Sequence, residues 1–79
     1  MKTENDIKQA LAENIRAYLK REDVTQKDLA EMCGVCENSI GIYVRGKSVP
    51  SLYYAYLLSD VMGMTIDEMM MPIKKEQEK

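Results

Sequence analysis

The stretch from Thr25 to Ser51, TQKDLAEMCGVCENSIGIYVRGKSVPS, places two helix starts and two helix stops so close together that the backbone has few ways to run. Thr25 can accept a backbone N–H at the head of a helix, Asp28 completes a capping box, and Val24 with Leu29 flanks that start as a hydrophobic staple. This helix is expected to run to about Cys33, where Gly34 can take the positive φ of a helix C-terminus. The grammar then repeats. Val35 and Ile40 form the next staple around Cys36, which holds the N-cap position although a thiol caps poorly. The following helix should reach Val44 or Arg45, with Gly46 closing it. Pro50 disfavours helix at Val49, leaving Lys47-Ser48-Val49-Pro50 as a loop.

Helical spacing continues on both sides. Ile7, Leu11, Ile15, Tyr18 and Leu19 recur every three or four residues, an amphipathic helix with Thr3 or Asn5 as its cap. After the loop, Ser51 caps a fourth helix with Leu52, Ala55, Tyr56, Leu58, Ser59 and Met62 as its inward stripe and Gly63 at its end. Thr65 to Glu68 fits a capping box, and Met64 with Met69 fits a staple, so a short fifth helix is expected to end by Pro72. No segment alternates over a strand length. The expectation is an all-α, compact five-helix bundle, a single domain over residues 1–72 with a charged, frayed tail over 73–79.

Composition bears mainly on what the chain is not. With 79 residues it can bury only roughly 60% of its unfolded surface, enough for one core. It contains no His, which removes the usual neutral-pH general base and the commonest zinc ligand; no enzyme activity, cofactor or metal is expected. No long apolar span or secretory h-region is visible, so a cytoplasmic protein without membrane contact is expected. The Cys33-Gly34-Val35-Cys36 spacing superficially matches a dithiol redox motif, but no strands exist to build the usual setting. Cys33 falls on the inner side of its helix and reads as core, whereas Cys36 stands at a helix N-terminus, partly exposed.

Ile40, Tyr43 and Val44 share one side of the third helix, which assigns Glu37, Asn38, Gly41, Ile42 and Arg45 to the other. The Asn38 carboxamide has the donor and acceptor pair that matches an adenine edge, Glu37 can accept from cytosine N4, and Ile42 can touch a thymine methyl. Glu37 equally suits a helix dipole, and a single exposed Ile42 needs no explanation. Gln26 begins the second helix, where partial positive charge favours a phosphate, and Arg45, Lys47 and Ser48 can add phosphate contacts. A glycine at 41 costs about 0.5–1 kcal/mol relative to alanine in mid-helix, which suggests a close approach there. The charge sum argues the other way: 11 basic and 13 acidic residues give net −2, a thin footprint for a phosphate binder.

TQKDLAEMCGV, SIGIYVRGKSVPS and GMTIDEM closely resemble the helix-turn-helix domain of lambdoid phage repressors and Cro, the XRE-like family, over about Ile15 to Met70. The resemblance implies a lambda-repressor-like fold with helices 2 and 3 as the helix-turn-helix, and sequence-specific binding of double-stranded DNA by a transcriptional regulator, a repressor. It assigns DNA contacts to Gln26, Cys36, Glu37, Asn38, Ile42, Arg45, Lys47 and Ser48. Where that family often has an Arg paired with a Glu, this chain has Leu19 and Val44; a charged pair can be exchanged for apolar packing if both partners change together, so these two are expected to meet. Met69, Met70, Met71 and Ile73 either close the core or form a homodimer seam, and a dimer demands a palindromic operator. The rival reading is a protein-interaction module such as an antitoxin, prompted by the negative charge and by Tyr53, Tyr54 and Leu57 as exposed candidates.

Overall fold

Five helices and no strand make up residues 3–73, the part of the chain that the computed structural model describes. They are α1 (Glu4–Glu22), α2 (Gln26–Cys33), α3 (Glu37–Val44), α4 (Leu52–Met62) and α5 (Ile66–Met69). The all-α architecture is the expected one. Except for Ile73, the tail expected over 73–79 lies outside the described residues.

Caps explain most of the boundaries. Thr3, not Asn5, heads α1: its Oγ1 accepts the Asp6 N–H at 3.1 Å, and the Asp6 carboxylate accepts the Thr3 N–H at 3.0 Å. Thr25 with Asp28 and Thr65 with Glu68 repeat this box at α2 and α5, and Ser51 Oγ accepts from Tyr54 N at α4. Cys36 makes no side-chain cap hydrogen bond. At both ends α1 outruns its apolar stripe, since a polar first turn and a basic last turn are invisible to hydrophobic periodicity. It ends on Asp23 at φ 57, the one described non-glycine residue with positive φ.

Each helix gives at least one fully buried side chain to a single core: Leu11 and Ile15 from α1, Leu29 from α2, Ile40 from α3, Leu58 from α4 and Met69 from α5. Burial of a side chain this size contributes about 1.5–3 kcal/mol. Val44 belongs to this apolar cluster and the half-buried Leu19 packs against it. Met69 is fully buried, so it closes the core and offers nothing to a second chain; Met70 is half-buried, and only Met71 and Ile73 of that group are well exposed.

On α4 the expected stripe is rotated. Leu52 and Tyr56 are 78% and 59% exposed, while Ala55, Leu58 and Met62 are buried and Tyr54, Leu57 and Val61 pack against the core from one side. From Leu52 to Leu58 every residue is apolar or aromatic, so the sequence marks no polar face against which to set the helix. Contact with α2, including the Cys33 thiol lying 4.0 Å from the Leu57 carbonyl, turns the Leu57 side inward.

One buried polar residue escaped the periodicity. Asn14 sits among Leu11, Ile15 and Tyr18, and its Nδ2 donates to the Ala10, Met69 and Met71 carbonyls at 3.0, 3.0 and 2.9 Å. This carboxamide ties the end of α5 to the middle of α1. Replacing Asn14 with Ala leaves buried carbonyls without a donor and is expected to cost about 1–3 kcal/mol by chemical denaturation. Asp23→Gly, which relieves left-handed backbone at a helix end, is expected to stabilise by about 1 kcal/mol in the same assay.

Candidate nucleic-acid interface

The orientation of α3 is fixed from its inner side. Ile40, Tyr43 and Val44 are buried against α1 and α2, and burial pushes the Tyr43 phenol above its ordinary value, with Tyr54 adding to the shift. At the far end the Arg16 guanidinium donates to the Val44 carbonyl at 2.7 Å, placing a cation against the negative end of the helix. Sequence reading missed this role for Arg16. The available signal was a basic residue one turn before Leu19, on the helix that α3 must cross.

Glycine closes α3 for a backbone reason: Gly46 has φ 68, which strains any side chain, while a Cβ there would meet only the flexible end of Gln9, 3.0 Å away. The Gly46 and Lys47 amides then donate to the Tyr43 and Ile42 carbonyls, which turns the chain out into the loop bearing exposed Lys47.

Across the outer face of α3 runs an open depression of about 300 Å³ lined by Gln26, Glu37, Asn38, Gly41 and Arg45. Four of the eight residues expected at a DNA surface therefore converge on one concavity from two helices. Gly41 forms its floor. It was assigned to the open side of the helix, yet it is buried, because the Arg45 and Gln26 side chains reach over it: a Cβ would lie 3.1 Å from Arg45 Nη1 and 3.4 Å from Gln26 Oε1. Cys36 and Lys47 are exposed beside the depression without lining it. Ile42 is half-buried against the core, so only part of its side chain faces outward, and Ser48 is half-buried with its hydroxyl 3.4 Å from the Val49 carbonyl.

Charge at the depression is mixed, since Glu37 and Arg45 both line it, and the open amides around it tip it toward an anion. At the head of α2 the Asp28 and Leu29 amides bond to Thr25, leaving those of Gln26 and Lys27 pointing outward without an acceptor among the described residues. At the head of α3 the Ser39 and Ile40 amides bond to the Cys36 carbonyl, and those of Glu37 and Asn38 are likewise open. Arg45 and Lys47 have no ion-pair partner among the described residues; the two ion pairs, Lys8 with Glu4 and Arg21 with Glu22, lie on α1. A second depression, of about 230 Å³, carries Asp6 and Glu13 and would repel phosphate.

A helix-turn-helix family model matches residues 15–69. The chain belongs to the helix-turn-helix family. Its solved structural neighbours include a hypothetical transcription factor, NHTF, from Neisseria, with a TM-score of 0.78 and 21% identity over 91% of this chain and 83% of that one. At that identity the likeness establishes the fold. No curated protein sequence matches the chain significantly. Among the described residues no cluster of metal-ligating side chains is present, and no helix is long and apolar enough to cross a membrane.

Two outcomes test this geometry. Burial raises the Cys33 thiol above its ordinary value, so a thiol reagent at neutral pH is expected to label Cys36 in the folded helix-turn-helix protein and reach Cys33 only after denaturation, as peptide mass spectrometry will read. Gly41→Ala meets only the ends of two flexible side chains and should therefore stabilise α3 by about 0.5–1 kcal/mol in denaturant titration, while pushing Arg45 and Gln26 aside.

Proposed function

We infer that the protein is a DNA-binding transcription regulator that acts without catalysis, as a homodimer on a palindromic operator, with α3 in the major groove. The observation that carries this reading is the convergence of Gln26, Asn38 and Arg45 on one exposed face of a helix-turn-helix, beside two helix N-termini whose amides are open. In that pose Asn38 and Glu37 read base edges from the start of α3, while Gln26, Arg45, Lys47 and the open amides hold phosphates. Arg45 lies over Gly41 and needs only side-chain motion to reach a strand. Two copies would set their α3 helices about 34 Å apart, one turn of duplex. Repression follows from simple occlusion, which requires no further domain.

Selection from random duplexes is expected to enrich an inverted repeat; no enriched motif, together with binding that ignores salt, would sink the proposal. Within a selected site, Asn38→Ala should relax preference at one base position per half-site, at a cost of about 1–3 kcal/mol. Lys47→Ala should weaken every sequence alike and reduce the log–log salt slope by about 1 for each half-site.

A further inference from the structure

We propose that the outer face of α4, centred on Tyr56, is the surface on which two copies of this chain pair antiparallel about a two-fold axis. The proposal rests on the regulator reading for its purpose, but its surface is defined independently. Leu52, Tyr53 and Tyr56 are 78%, 66% and 59% exposed, and their spacing puts them on one side of the helix. They follow directly on the loop that carries Lys47, at the edge of the DNA-facing surface. The Tyr53 ring is set against the half-buried Tyr54 ring, with centroids 6.0 Å apart and planes tilted by 51°, so part of the patch is already ordered before any partner arrives.

Charge selects a second copy as the occupant. A two-fold axis brings each residue near it against its own twin, so a like-charged face opposes itself and an uncharged one does not. In a chain that is 30% charged, the run from Ser48 to Ser59 holds no charged residue. Its far end carries a charge, exposed Asp60, on the same face as Tyr53 and Tyr56. Antiparallel pairing carries Asp60 of one copy toward the α4 N-terminus of the other and leaves Lys47 to the DNA. Asp60 has no ion-pair partner within its own chain among the described residues, and the Leu52 and Tyr53 amides are left open by the Ser51 cap.

The alternative seam at Met71 and Ile73 lacks this property, since the adjoining depression carries Asp6 and Glu13 and a two-fold there sets carboxylates of both copies against one another. The α4 patch is also small. Its three side chains offer roughly 400 Å², about half of what each partner gives to a standard interface, so the dimer is weak in solution and tight only when both copies hold one operator.

Sedimentation velocity of the full chain from micromolar to millimolar concentration tests the pairing. Wild type should show reversible dimerisation. Tyr56→Asp should remain monomeric with its melting temperature kept, and Tyr53→Asp, which the antiparallel pairing sets beside Asp60 of the other copy, gives a second disruption at an exposed position. Met71→Asp should dimerise as wild type does. On DNA, Tyr56→Asp should bind a half-site duplex like wild type but lose about tenfold or more on the full inverted repeat. The proposal is overturned if wild type stays monomeric throughout, if Tyr56→Asp dimerises normally, or if Met71→Asp is the variant that separates the chains. Should wild type bind no duplex at all, the regulator reading falls, and the sedimentation result alone still decides the pairing.

Discussion

Everything in this small chain depends on one core to which all five helices contribute, with Leu11, Ile15, Leu29, Ile40, Leu58 and Met69 shielded completely from solvent. No helix has a second apolar cluster to fall back on, and α3 and α5 are too short to persist alone in water. The two polar attachments on α1 reinforce the same arrangement. Asn14 holds the carbonyls at the end of α5, and Arg16 holds the last carbonyl of α3, so neighbouring positions on one long helix fix both short ones.

Local signals were the legible part of the fold. Thr25, Ser51 and Thr65 announce helix starts because a short side-chain oxygen must meet an orphan amide, and each does so. Less was legible where the decision is tertiary. The α4 stripe failed because an almost wholly apolar segment does not say which of its sides faces the core; Leu52 and Tyr56 were placed inside and lie outside. Asn14 and Arg16 were passed over for a related reason, since their partners are backbone carbonyls 55 and 28 residues away and a carbonyl has no sequence signature.

At the outer face of α3, sequence supplied the residue types and the structure supplied their grouping. Gln26, Glu37, Asn38 and Arg45 line one concavity. Gly41 changes meaning most: its suspected close approach comes from the chain's own Arg45 and Gln26. A net charge of −2 also weighs less than it did, because the depression bearing Asp6 and Glu13 lies apart, lined by α1 and the segment after α5, while Arg45 and open amides stand beside Glu37 at the outer face of α3.

The missing cap at Cys36 has an evolutionary consequence. Cys36, Glu37 and Asn38 are exposed and give no side-chain hydrogen bond to the rest of the fold. The three positions form a neutral plot in mutational space, where lineages can exchange side chains without eroding the scaffold. A serine arriving at position 36 would even add stability, by about 1 kcal/mol, by offering the Ser39 amide a side-chain oxygen as Thr25 does for Asp28. The Glu37 and Asn38 amides would stay open, so stability gained at the head of α3 leaves its anion-facing groups untouched.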